Sequence, residues 1–111
     1  MNEYDLQFEK IIKKFDYLWT YFSLPERYDN KLSEDYIRKY NHRLSWTEIS
    51  TYQKLSEKFI RKFSDKVDWQ CVSCYQILSE EFIREFSDKV DWRYISYRQK
   101  LSEKFIIEFA D

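Results

Sequence analysis

A chain of 111 residues has room for one compact domain, and this one holds no Gly and a single Pro, Pro25, while 21% of it is aromatic. Without Gly, hairpin turns and phosphate-cradling loops lose their usual residue, which removes most sheet folds and most nucleotide-binding folds. Nineteen Lys and Arg against twenty Asp and Glu leave a net charge of -1, so the basic surplus of a nucleic-acid binder and the acidic surplus of a polyanion mimic are both absent.

The first ten residues, MNEYDLQFEK, carry no signal-peptide pattern, and no apolar run approaches the ~20 residues that cross a bilayer. With two Cys and no secretory signal, the expected location is the reducing cytoplasm, without a membrane partner. Within residues 1–31 only Glu9–Phe15 (EKIIKKF) echoes a later segment, Glu57–Phe63 (EKFIRKF). Residues 1–31 therefore read as a divergent first unit with a longer helix of its own.

From Leu32 the chain repeats itself every 23 residues without a gap. Leu32–Lys54 reads LSEDYIRKYNHRLSWTEISTYQK, Leu55–Ile77 reads LSEKFIRKFSDKVDWQCVSCYQI, and Leu78–Lys100 reads LSEEFIREFSDKVDWRYISYRQK. A truncated copy, LSEKFIIEFAD, covers Leu101–Asp111. Two helix starts recur in each unit. Ser33, Ser56, Ser79 and Ser102 stand as N-caps, with Glu in the first turn to suit the helix dipole. Leu55 with Ile60 has the spacing of a hydrophobic staple. Ser45, Asp68 and Asp91 open the second helix, and Val67 with Val72 repeats the staple. A unit is predicted as a helix of about ten residues, a tight turn and a helix of about eight. Fewer than ~12–15 residues is marginal for an isolated helix, so these must be held by their neighbours. The expected fold is all-α: short helix–turn–helix tandem repeats stacked as a small α-solenoid within a single domain.

Comparing the copies separates two faces of the second helix. Trp46/Trp69/Trp92, Ile49/Val72/Ile95, Ser50/Ser73/Ser96 and Gln53/Gln76/Gln99 barely change, and at ~100° per residue they share one arc. That arc is predicted to be packed. A constant amide on a packed arc must be hydrogen-bonded, and the glutamines are expected to bridge to the turn of the next unit. The other side changes freely and carries Tyr, Arg and Cys rather than Lys and Glu alone. Tyr and Arg are enriched at binding hot spots, so Tyr52, Cys71, Cys74, Tyr75, Arg93, Tyr94, Tyr97 and Arg98 are the candidate protein-binding residues. Neutral drift on a solvated face would leave the same variability.

On the first helix the polar side is constant as well. Glu34–Arg38, Glu57–Arg61 and Glu80–Arg84 have the i,i+4 order of helical ion pairs, worth ~0.2–0.5 kcal/mol each. The same arginines would form a phosphate-tracking column, and nucleic-acid binding through them is the alternative reading. Cys71-Val-Ser-Cys74 has metal or redox spacing, yet its equivalents are Glu48 and Thr51, then Tyr94 and Tyr97. The two thiols therefore read as variable surface positions, and neither a metal nor a cofactor is expected. His42, near the end of a first helix, suits the negative end of the dipole. No nucleophile–base pair or carboxylate pair remains to run chemistry, so no enzyme is expected. In the last copy Ile107 replaces Arg and Ala110 replaces Ser. Terminal repeats are normally more polar, and this widening of the apolar arc predicts a homodimer through Phe105, Ile107 and Ala110. A purely structural homo-oligomer is the third reading.

The unit LSEEFIREFSDKVDW followed by an ISxxQK-type segment (Leu78–Lys100) resembles tandem repeats in uncharacterised proteins of giant DNA viruses and some phages, over Leu32–Asp111. The resemblance implies a viral or phage origin, in keeping with a Lys, Ile, Tyr and Phe-rich composition. Small phage proteins often bind and block a host protein. A host-defence inhibitor of the anti-CRISPR type, acting in the host cytosol, is therefore the sharpest expectation, and it rests on analogy.

Overall fold

The start of each helix is set by its capping side chain. The computed structural model describes residues 1–14 and 28–109. It begins with α1 (Glu3–Lys14) and continues with α2 (Glu34–Tyr40), a 3-10 turn at Asn41–Arg43, and α3 (Trp46–Tyr52). The next units supply α4 (Glu57–Lys62) with α5 (Trp69–Tyr75), then α6 (Glu80–Glu85) with α7 (Trp92–Arg98), and α8 (Glu103–Glu108) follows. Ser33, Ser56, Ser79 and Ser102 are extended, and their Oγ atoms accept the N–H of Tyr36, Phe59, Phe82 and Phe105. Ser45, Asp68 and Asp91 cap α3, α5 and α7 likewise. Among the described residues no strand occurs, and the chain is an all-α repeat protein. The one left-handed residue described is Asn30, at φ 59°, a position asparagine tolerates.

The first helices are shorter than the ten residues expected of them. Helices α4, α6 and α8 have six residues each. After α4 the chain turns at once, because the Phe63 carbonyl accepts both Lys66 and Val67 N–H (2.9 and 3.0 Å). Phe86 does the same for Lys89 and Val90. The indole of the following helix then seals that turn: Trp69 Nε1 donates to Ser64 O and Trp92 Nε1 to Ser87 O, both at 2.9 Å.

Three kinds of contact join one unit to the next. Helices α3, α5 and α7 pack on one another in series, burying Ile49, Val72 and Ile95 completely. Each half-buried Trp lies against two phenylalanines of the following first helix. Trp69 is 5.0 Å from Phe86 and 6.2 Å from Phe82 between ring centroids, Trp46 meets Phe59 and Phe63, and Trp92 meets Phe105 and Phe109. Such aromatic pairs are worth ~0.5–1.5 kcal/mol beyond their burial. The molecule is accordingly long and narrow, 53 × 24 × 22 Å.

The glutamines make the second kind of contact, and they point backward rather than forward. Gln76 Oε1 accepts Leu55 N–H (3.0 Å), while its Nε2 donates to Ser50 O (2.9 Å) and Gln53 O (2.7 Å) of the preceding unit. Gln99 repeats the pattern on Leu78 N, Ser73 O and Gln76 O, and Gln53 takes Leu32 N and gives to Tyr28 O. One side chain thus closes helix-end carbonyls that would otherwise be buried without partners.

The third contact corrects the expected i,i+4 ion pairs. Glu34 and Glu57 do not bond Arg38 and Arg61; their carboxylates accept both the N–H and the Oγ–H of the next unit's N-cap, Ser56 and Ser79. Glu80 accepts Ser102 in the same way, and the Ser102 backbone N–H holds the Glu80 carboxyl below its ordinary range. The serine cap presents its N–H and Oγ–H together from backbone that the helix start already fixes, whereas an arginine must order a long side chain to offer its fork. The arginines reach onward: Arg61 pairs with Glu85 (2.9 Å) and Arg84 with Glu108 (2.7 Å), while Arg38 turns to Asp35 (2.7 Å). Helix α1 joins the stack by the same device. Asp5 Oδ1 and Oδ2 accept Ser33 N and Oγ (2.9 and 2.6 Å), so Asp5 is the counterpart of Glu57. The echo at Glu9 is therefore displaced by four residues, about one helical turn, which preserves the face but not the register. Glu9 itself sits almost buried under Lys13 (3.0 Å), whose ammonium holds the carboxyl below its ordinary value.

Gln76→Ala should strip one N–H and two carbonyls of their partner, at ~1–3 kcal/mol for each buried group. Urea unfolding should show a loss of roughly 3 kcal/mol or more; a change within the ~0.5 kcal/mol typical of surface substitutions would contradict the bridging role.

Candidate protein-binding surface

Stacking α3, α5 and α7 in register lines up equivalent positions of the second helices into ridges on the side away from the packed arc. One ridge runs Tyr52, Tyr75, Arg98, and beside it runs Thr51, Cys74, Tyr97. Tyr52, Tyr75 and Tyr97 are exposed at 47%, 55% and 81% of their surface, which for aromatic side chains in a well-packed stack is unusual enough to mark the face. Arg98 lies over two of them, 5.9 Å from the Tyr75 ring and 5.7 Å from the Tyr97 ring.

The remaining candidates, Arg93 apart, are less open. Tyr94 is half-buried, its hydroxyl accepts Gln70 Nε2 (3.3 Å), and Arg93 covers its ring at 5.0 Å. Arg93 is exposed and reaches Asp91 at 3.5 Å. Cys71 and Cys74 are free thiols, both half-buried, and burial pushes the Cys71 thiol up, away from the thiolate that would react or bind metal. Among the described residues no three His, Cys, Asp or Glu gather as a metal site. His42 sits exposed on the 3-10 turn.

Ile77 is the residue the sequence reading did not single out. It is 89% exposed and, with Tyr75, Thr51, Lys54 and Asn30, lines a groove of 570 Å³ beside the tyrosine ridge. The signal was present in the copies: Lys54 and Lys100 stand at the equivalent positions, and an apolar residue in a lysine slot on the outer side has no packing reason to be there.

At the far end of the stack, Phe105 is fully buried against Trp92 and does not belong to an exposed contact. Ile106, Ile107 and Phe109 are exposed there instead, at 54%, 68% and 37%. Ile106 is open although its equivalents Ile37, Ile60 and Ile83 are fully buried. Ala110 lies outside the described residues. The arginine column is largely committed, with Arg61 and Arg84 paired to glutamates and all three guanidinium groups lying over Phe59, Phe82 and Phe105. Among the described residues no helix is long and apolar enough to cross a membrane.

Comparison with protein-family models, with curated proteins and with solved structures found no match.

Proposed function

We propose that the chain is a non-enzymatic protein-binding module whose contact surface is the outer side of α3, α5 and α7. The observation that carries this reading is the exposure of Tyr52, Tyr75, Tyr97 and Ile77 together, on one face of an otherwise charged molecule. Tyrosine gives large contact area at low entropic cost and keeps a polar tip for solvent while unbound. The groove at Ile77 adds a concavity that a partner side chain can fill. The resemblance to viral and phage repeats directs the reading to a host protein, with a defence factor of the CRISPR type as the sharpest case. The variation of this face between units, beside constant packed positions, suits a surface fitted to one partner.

Phosphate tracking along Arg38, Arg61 and Arg84 is the weaker reading, because their partners offset the charge that counterion release requires. A second copy at the α8 end is supported by the exposed Ile106, Ile107 and Phe109. Light scattering at high micromolar concentration should then give a dimer that Ile107→Glu returns to one chain; a single-chain mass for the unaltered protein would remove it.

Replacing Tyr75 and Tyr97 together by Ser should abolish capture of the cognate protein from host lysate and leave the melting temperature unchanged, since neither ring supports the stack. Capture that survives the double substitution would return the face to neutral drift.

A further inference from the structure

Three cations border the exposed tyrosine ridge without an ion pair among the described residues: Arg98, Lys54 and Lys100. Arg98 makes no ion pair among the described residues, whereas Arg38, Arg61, Arg84 and Arg93 each meet a carboxylate. The Arg98 guanidinium carbon lies 5.9 Å from the Tyr75 ring centroid and 5.7 Å from that of Tyr97 instead, a cation–π contact with both rings. Lys54 and Lys100 are exposed beside the ridge, and Lys54 borders the groove with Tyr75 and Ile77. The acids of the second helices each have a partner. Asp68 accepts Cys71 N–H and Thr47 Oγ, Asp91 accepts Arg93, and Glu48 has a partner of its own. Tyr75 thus lies beside Arg98 and lines a groove with Lys54, Leu55 and Ile77. Arg98 also replaces the tyrosine found at this position in both earlier units.

We infer that this face takes an acidic, amphipathic segment of a partner protein, with a carboxylate on the Arg98 fork, a second near Lys54, and an apolar side chain in the groove at Tyr75 and Ile77. The inference rests on the protein-binding reading above and adds the chemistry of what is bound. A planar guanidinium matches a carboxylate bidentately, and the neighbouring tyrosine rings add apolar contact area beside it. Single-stranded nucleic acid is disfavoured, because a backbone-tracking groove needs a run of cations and the intermediate positions here are Thr51, Cys74 and Gln70.

The test selects a random peptide display library on the full-length chain. Enriched peptides should be richer in Asp and Glu than the input, with an adjacent apolar residue. Synthetic copies of them should bind about tenfold or more weakly to Arg98→Glu, and by an intermediate amount to Arg98→Lys, which keeps the charge and loses the fork. Enriched peptides with no acidic bias, or acidic ones that bind Arg98→Glu equally well, would overturn the inference while leaving the protein-binding reading in place. Peptides unaffected by Tyr75→Ser with Tyr97→Ser would overturn both. Oligothymidylate that binds more tightly than any peptide, and only with Arg98 present, would assign the face to nucleic acid and overturn it too.

Discussion

A glutamine amide, buried at Gln53 and Gln76 and half-buried at Gln99, closes the boundary at the start of each of the three full units, and the rest of the stack depends on it. Helices of six or seven residues expose most of their backbone at their ends, and a chain without glycine cannot finish them with the usual left-handed turn. Gln53, Gln76 and Gln99 leave the helix in extended conformation, so their side chains turn back across the unit boundary. The carboxamide has a donor and an acceptor end, and both are used. It takes a leucine N–H at the start of its own unit and gives to the last carbonyls of the unit before. A hydrocarbon of the same volume would fill the space and leave those backbone groups bare.

Around this amide the other boundary contacts are redundant in kind but not in role. The Trp–Phe contacts supply buried area, and the Glu–Ser contacts fix where the next helix begins. All of them connect a unit only to its neighbours, the condition under which stability becomes a sum of local terms. None of them uses the positions of Tyr52, Tyr75, Tyr97 or Arg98. The scaffold therefore leaves its outer ridge free to change composition without cost to folding, and a binding surface can differ from unit to unit while the packed arc cannot.

The repeat period, the caps and the packed arc were legible because each is a local pattern written several times in one chain. Ser56, Asp68, Ile60 and Val72 behave as their types and spacing require. Glu57 and Arg61 misled for a physical reason: two residues that bond each other within a helix and two that reach 22 and 24 residues onward into the next unit leave the same repeated pattern in the sequence. The direction of Gln76 was likewise hidden, because only the extended conformation at the helix end sends the amide backward. Five of the eight candidates emerged open, at Tyr52, Tyr75, Arg93, Tyr97 and Arg98. Tyr94, Cys71 and Cys74 are partly covered because positions one turn apart on α5 and α7 face the adjoining second helix, which a single-helix wheel does not represent. Phe105 was assigned to an outer contact although its counterparts Phe59 and Phe82 are core; its place beneath Trp92 follows from the repeat itself.

Amide hydrogen exchange followed residue by residue tests the glutamine bridge most directly, because the chain contains its own control. Leu32, Leu55 and Leu78 stand at the start of their units, and each N–H is bonded to a glutamine oxygen. Leu101 occupies the equivalent position, and no glutamine reaches it among the described residues. Slow exchange at Leu55 and Leu78 beside fast exchange at Leu101 is the expected result. Equal, rapid exchange at all of these leucines would mean that the amides do not hold the units together.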